Sequence, residues 1–261
     1  MELKFKQGQV DAAGFKVRYW EAGNGRPVIM LDETEWRNTK LHEALAEKYH
    51  IFTLEVPGTG DSATNTESQS IGDLASVIST AASSLTSERY TLIGTSFGAH
   101  LAIWQAAQSP DSVEALILIS PTAILYQGVI AGTTAQGFHD SLFAHAESAQ
   151  QFAALHPDVF AKESALKCRL GSGTRGYETE SKFADIHCPT LAIFGRNDRL
   201  VSPEAARVYR EKIPNSNIAI VYDAGHCIVG DRPEALVNSV VDYSEHWETF
   251  IVGHQSGLIN P

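Results

Sequence analysis

Tyr90-Thr91-Leu92-Ile93-Gly94-Thr95-Ser96-Phe97-Gly98-Ala99 decides the fold. An apolar run, Tyr90 to Gly94, reads as a strand, and Ala99 to Gln108 reads as a helix. Between them lies G-x-S-x-G, a pattern whose meaning depends on a strand before it and a helix after it. So tight a turn puts Ser96 in a strained backbone conformation. Side chains at Gly94 and Gly98 would collide with the neighbouring strand and helix. The serine hydroxyl is thereby presented above a sheet edge at a helix N-terminus, where the amide dipoles favour negative charge. The bland alternative is a Gly/Ser-rich turn of no chemical consequence.

Outward from this stretch, strand and helix patterns alternate. Phe15 to Trp20 alternates apolar and polar residues, as a half-exposed strand does, and Val28 to Leu31 is continuously apolar. Lys40 to Lys48 reads as a helix, His50 to Val56 as a strand, and Asp61 to Ser70 as a polar surface loop. Ile71, Leu74, Val77, Ile78, Ala81 and Leu85 mark one apolar stripe of a helix. Ala115 to Ile119, Thr190 to Phe194 and Ile218 to Tyr222 are further strands. Pro203 to Lys212 and Pro233 to Trp247 are further helices.

This order predicts an α/β fold: a mostly parallel twisted sheet with helices on both faces. The first two strands are joined without a helix and are expected to be antiparallel. The alternation stops between Ile124 and Asp185. Helical patterns there (Phe138 to Ala154, Pro157 to Lys167) predict a helical cap inserted after Ser120-Pro121 and ending before Cys188-Pro189. The expected division is a core of residues 1–123 and 186–261 and a cap of residues 124–185. An insertion at the carboxyl ends of strands covers the place where such sheets bind ligands. The tail, Gly253 to Pro261, has no clear pattern.

Composition narrows the function. The chain has 261 residues, 20 Lys and Arg against 31 Asp and Glu, and a net charge of −11. That acidity opposes binding to phosphate backbones, so no nucleic-acid partner is expected. No apolar run approaches the roughly 18–20 residues that span a bilayer, and Met1 to Lys6 lacks the apolar block of a secretory signal. Cys168, Cys188 and Cys227 cannot all pair with one another and read as reduced thiols. The expectation is a cytoplasmic protein with a small-molecule substrate and no membrane partner; the oligomeric state is left open.

A serine hydroxyl is a weak nucleophile and needs a base held by an acid. Ala224-Gly225-His226 follows the strand Ile218 to Tyr222, so the imidazole projects from a loop at the same sheet edge as Ser96. Nine other histidines compete, but His42, His139, His145 and His246 lie on helices, mostly on faces expected to be exposed. Gly195-Arg196-Asn197-Asp198 follows the strand Thr190 to Phe194, and Asp198 can accept the imidazole N–H and fix its tautomer. Asp198 can also be a turn residue, as Asn-Asp usually is. Asp223 is the rival acid, but it lies too near His226 in sequence to reach around easily.

The chain order Ser96, Asp198, His226 resembles the α/β-hydrolase superfamily, whose order is nucleophile, acid, base. Glu55-Val56-Pro57-Gly58-Thr59-Gly60-Asp61-Ser62 resembles that family's D-x-P-G-x-G-x-S, and Cys188-Pro189-Thr190-Leu191 its C/I-P-T-L. The resemblance runs from Phe15 to about Trp247. It implies a Ser-Asp-His catalytic triad and an oxyanion hole built from the Phe97 amide and a second donor near Thr34. One feature departs from the pattern: Asp32-Glu33 stands where such families carry His-Gly. A carboxylate there would oppose a developing oxyanion unless it turns away to backbone amides or to a base such as Arg37.

The resemblance implies a serine hydrolase of the carboxylic-ester type. It would attack an ester, thioester, lactone or activated C–C bond of a small apolar substrate. Asp32-Glu33 keeps an alternative open: a ligand receptor or regulatory binding protein, or an acyltransferase, lyase or cofactor-free oxygenase. Asp32, Glu33, Trp36, Phe138 and Phe143 are candidate pocket residues. Of the cap aromatics Tyr126, Phe138, Phe143, Phe152 and Phe160, about two are expected to face the substrate, a count set by their mostly packing a helical lid. No dinucleotide or P-loop fingerprint occurs, and His139, His145 and His187-Cys188 lack a complete ligand set. No cofactor and no metal are expected.

Overall fold

The computed structural model describes residues 4–32, 35–125, 134–171, 176–249 and the backbone of 258–259. The strands are β1 (Lys6–Ala12), β2 (Phe15–Ala22), β3 (Pro27–Leu31), β4 (His50–Leu54), β5 (Tyr90–Thr95), β6 (Val113–Ile119), β7 (Thr190–Gly195), β8 (Ser216–Val221) and β9 (Leu258–Ile259). They form a 9-stranded sheet in the order β1-β2-β4-β3-β5-β6-β7-β8-β9. The pairs from β4 to β8 are parallel, and β1, β2 and β9 join antiparallel at the two ends.

The helices are α1 (Lys40–Ala46), α2 (Ile71–Leu85), α3 (Phe97–Gln108), α4 (Ala135–Ser141), α5 (Ala146–Ala149), α6 (Pro157–Arg169), α7 (Tyr177–Ser181), α8 (Ala206–Lys212), α9 (Ile228–Asp231) and α10 (Pro233–His246). Because side chains alternate along a strand, each central strand feeds two cores. Ile29, Leu31, Leu92, Leu116 and Phe194 pack with α2, α3 and α8. Val28, Met30, Ile93, Ile117 and Ile193 pack with α1 and α10 on the other face. The continuous apolar runs are therefore what a sheet covered on both faces requires. Helix α2 starts at a reciprocal cap: Ser70 Oγ accepts from the Asp73 amide at 3.1 Å, and Asp73 Oδ2 accepts from the Ser70 amide at 3.0 Å.

β2 and β3 run antiparallel, as expected, with β4 between them. Other expectations need correcting. β1 was not anticipated, nor was β9, in the tail, which pairs with β8. The helix expected over Phe138 to Ala154 is broken into α4 and α5. His42 and His139 are buried rather than exposed.

The polar loop 61–70 is not simply a surface feature. Asn65 and Ser68 are buried, and the Asn65 side chain bonds the Pro57 carbonyl, Ser68 Oγ and the amides of Glu67 and Ser68. Helix α6 fastens to this loop. Lys162 Nζ donates to the carbonyls of Gly60 and Ser62, Arg169 donates to those of Asn65 and Ser68, and buried Glu163 accepts from the Gly60 amide.

A second tie between the α4–α7 segment and the sheet layer runs through Thr179. Its Oγ1 accepts from Trp104 Nε1 at 2.8 Å and shares a 2.7 Å bond with His100 Nε2 on α3. His100 Nδ1 is buried without a hydrogen-bond partner. Burial pushes the His100 pKa down to about 4. The unfolded chain therefore takes up this proton near the ordinary pKa of 6.5 while the folded chain refuses it. The stabilisation is fully present above that pH and is lost as pH falls toward 4, by about 3 kcal/mol. Urea denaturation of wild type and His100→Gln at pH 7 and pH 4.5 checks this. The variant should lose markedly less stability on acidification, and equal losses would rule His100 out as the cause.

Candidate active site

β5 delivers the chain to Ser96, whose φ is 54° and ψ −112°, and α3 starts at Phe97. The turn leaves no room for side chains. A Cβ on Gly94 would lie 2.5 Å from Ala99 Cα, and one on Gly98 would lie 2.0 Å from the Leu31 carbonyl oxygen. The Ser96 amide donates to the Ile119 carbonyl at 2.8 Å, tying the turn to the end of β6. The strain at Ser96 is thus imposed by close contact with two strands and its own helix.

Ser96, His226 and Asp198 meet although they come from three separate loops. His226 Nε2 lies 2.8 Å from Ser96 Oγ, and His226 Nδ1 lies 2.8 Å from Asp198 Oδ2. The carboxylate is acceptor-only when ionised, so Nδ1 carries the proton and Nε2 is left to accept from the serine. Asp198 Oδ1 accepts from the amides of Leu200 at 2.8 Å and Val201 at 2.9 Å, which fixes its plane. The Asp198 and His226 side chains are 0% and 1% exposed. Asp223, the rival acid, faces outward instead: it pairs with His145 at 2.9 Å and with Arg232 at 3.7 Å.

Phe97 occupies the first position of α3, where an amide N–H has no acceptor within the helix. Glu33 and Thr34, including the anticipated second oxyanion donor, lie outside the described residues. Asp32 abuts the turn from the β3 side, because a Cβ on Gly98 would sit 3.0 Å from its carbonyl oxygen. Its carboxylate does not reach Arg37, which pairs with Glu35 at 2.9 Å. It lies 3.2 Å from His42 Nε2. That is ion-pair distance but outside hydrogen-bond alignment, so His42 Nε2 is left without an aligned partner. His42 Nδ1 shares a 2.8 Å bond with Thr39 Oγ1.

A cavity of about 130 Å³ opens beside His226. Asp32, Arg37 and His42 form its polar side; Phe138, Phe143 and Phe152 form its apolar side. Trp36 is not among the lining residues. It stacks on Trp20 with centroids 5.1 Å apart and packs against Phe5 and His42. Phe160 packs behind Phe138, and Tyr126 lies outside the described residues. Among the described residues no cluster of three or more potential metal ligands occurs, and no helix is long and apolar enough to cross a membrane.

Three contributors have little sequence signature. Ser120, with φ 46°, donates its hydroxyl to the His226 carbonyl at 2.8 Å. Its only hint is a polar residue closing an apolar strand before Pro121. His42 gave only a helical histidine among several. Asp231 accepts from the Gly225 amide beside His226 and from the Ala144 amide, and in the sequence it is one acid just before the helix expected from Pro233.

Comparison with known proteins agrees with this architecture. The sequence model of the alpha/beta hydrolase family matches residues 23–239. A 2-hydroxy-6-oxononadienedioate/2-hydroxy-6-oxononatrienedioate hydrolase of Pseudomonas putida is 25% identical over 280 aligned positions, covering 93% of this chain and 95% of its own. A pimeloyl-[acyl-carrier protein] methyl ester esterase of Pectobacterium carotovorum is 24% identical, covering 87% of this chain and 98% of its own. Among solved structures, a meta-cleavage product hydrolase from Pseudomonas fluorescens superposes with a TM-score of 0.75 at 18% identity, over 90% of this chain and 96% of that one. With a family match across most of its length and a sheet of the same architecture, the chain belongs to the alpha/beta hydrolase family.

Proposed function

We propose that the protein is a serine hydrolase that cleaves a small acyl compound through an acyl-enzyme. The observation that carries this reading is the hydrogen-bonded chain Ser96–His226–Asp198, with both links at 2.8 Å. In the proposed cycle Ser96 Oγ attacks the acyl carbon and passes its proton to His226 Nε2. Asp198, held by two amides, stabilises the imidazolium. The oxyanion is received by the Phe97 amide, with Thr34 as the intended second donor. His226 then protonates the leaving group. A water molecule gives its proton to the same imidazole, attacks the acyl carbon and releases the acid and free Ser96.

The cavity supports a short, largely apolar acyl group lying against Phe138, Phe143 and Phe152, with its polar end toward Arg37 and His42. Relatives whose names specify a 2-hydroxy-6-oxo dienedioate and a methyl ester keep esters, thioesters, lactones and activated C–C bonds within the proposed range. The carboxylic-ester class is the first to test. The division into a core of residues 1–123 and 186–261 and a cap of 124–185 belongs to this proposal, as does a cytoplasmic, cofactor-free enzyme acting on a small molecule.

Labelling with a fluorophosphonate and turnover of short p-nitrophenyl esters test the assignment. Wild type should be labelled and turn over, and Ser96→Ala should do neither. His226→Ala should lose on the order of 10⁶-fold in kcat and Asp198→Asn on the order of 10⁴-fold. A phosphonate adduct on another residue, or full turnover by His226→Ala, would sink the assignment.

One observation favours a second reading, in which the same site binds a ligand or performs a non-hydrolytic reaction: Asp32 lines the cavity, and its backbone carbonyl abuts the turn that carries Ser96. Under the hydrolase reading its pairing with His42 draws the charge away from the oxyanion. Asp32→Gly should then leave ester turnover unchanged or raise it. A loss of about 100-fold, or roughly 2.7 kcal/mol of transition-state stabilisation, with the fold intact would give Asp32 a part in the reaction and favour the second reading.

A further inference from the structure

The loop that carries His226 is held at four successive residues. The Asn197 amide donates to the Ala224 carbonyl, the Gly225 amide donates to Asp231 Oδ2, Ser120 Oγ donates to the His226 carbonyl, and the Cys227 amide donates to the Leu142 carbonyl, each at 2.8 Å. Asn197 and Ser120 follow sheet strands β7 and β6. The other two bonds lead toward the segment between α4 and α5. Asp231 Oδ2 also accepts from the Ala144 amide at 2.8 Å. One carboxylate oxygen therefore joins the histidine loop to the residues 142–144 that cover it.

We propose that Asp231 is a positioning residue that couples the seating of residues 142–144 to the placement of His226. The proposal rests on His226 being the base of the reaction.

The packing makes this coupling stiff. A Cβ on Gly225 would lie 2.7 Å from both the Ala144 nitrogen and the Leu142 oxygen, so the two backbones touch with no side chain between them. A Cβ on Gly230 would lie 2.6 Å from Phe143 Cε1. Phe143 sits between Leu142 and Ala144, is 4% exposed and lines the cavity. An acyl group resting on Phe143 thus loads the segment whose neighbouring amide shares Asp231 with the histidine loop. The other oxygen, Asp231 Oδ1, is buried without a hydrogen-bond partner. The carboxylate accepts costly burial to align two backbone donors on one atom. If the shared oxygen is removed, the Gly225 and Ala144 amides lose their common acceptor, and the imidazole can shift against Ser96. Misplacement of a catalytic group by about 1 Å costs on the order of 100-fold in rate.

The experiment is steady-state kinetics on p-nitrophenyl acetate, together with the phosphonylation rate, for Asp231→Ala and Asp231→Asn. Asp231→Ala should lose about 10- to 100-fold in kcat with little change in KM, and phosphonylation should slow in parallel. Asp231→Asn keeps an acceptor oxygen and should stay within a few-fold of wild type. In a double-mutant cycle, Phe143→Ala combined with Asp231→Ala should lose no more than the worse single variant, because both act through one segment. If Asp231→Ala does not fold, Gly225→Ala, which wedges the two backbones apart, should show the same loss in kcat. Wild-type kcat in a folded Asp231→Ala or Gly225→Ala, an equal loss in Asp231→Asn and Asp231→Ala, or additive losses in the cycle would overturn the coupling. Full turnover in His226→Ala would instead remove the base, and the proposal with it.

Discussion

The close approach of backbone to backbone around Ser96 is the constraint on which the rest of the site depends. The carbonyl of Leu31 occupies the space a side chain at position 98 would need, and the start of α3 does the same at position 94. Glycine at both positions lets β3, β5 and α3 converge, and that convergence holds Ser96 at φ 54°. A serine in this backbone region is strained by itself and persists because its surroundings over-determine it. The same convergence brings Asp32 to the edge of the turn, so any reaction at Ser96 takes place in the field of that loop.

The other two side chains depend on the parallel order of the sheet. Because β5, β7 and β8 all run in one direction, their carboxyl ends open on one edge, and the loops after them converge there. Once there, each side chain is fixed by backbone amides and carbonyls. Asp198 is held by Leu200 and Val201, and the His226 loop by Asn197, Ser120, Leu142 and Asp231. The helical segment between β6 and β7 completes the site from above. It is anchored at one end by α6 on loop 57–70, at another by Thr179 on α3, and at its contact with the histidine loop by Asp231.

The cavity combines two unlike surfaces for a reason rooted in this assembly. Its apolar side is supplied by α4 and the residues that follow it, whose aromatic rings have no sheet to pack against and turn toward one another and the void. Its polar side is the connection between β3 and α1. Thr39 Oγ1 bonds buried His42 Nδ1 there, Asp32 lies 3.2 Å from His42 Nε2 without hydrogen-bond alignment, and Arg37 is engaged by Glu35. Arg37 pairs with Glu35, and Asp32 faces His42, so the base beside Asp32 is His42 and Arg37 is taken by the nearer carboxylate.

The sequence by itself determined the parts that follow from local backbone chemistry. Apolar runs of strand length, the two glycines flanking Ser96, and the places of Asp198 and His226 after late strands each carry a pattern that period and sterics impose on consecutive residues. Only the tertiary structure decided which face His42 would show, that Trp36 would stack on Trp20 instead of lining the cavity, that Asn65 would be buried, and that β4 would lie between β2 and β3. It also decided the roles of Ser120 and Asp231. The physical reason is common to the last two: their partners are backbone groups, and those at His226 for Ser120 and Ala144 for Asp231 belong to distant segments. Every residue but proline offers the same N–H and every residue the same C=O, so a bond to one leaves no mark on the partner's identity. Such a contact becomes visible only when the chain has folded and brought the two segments together.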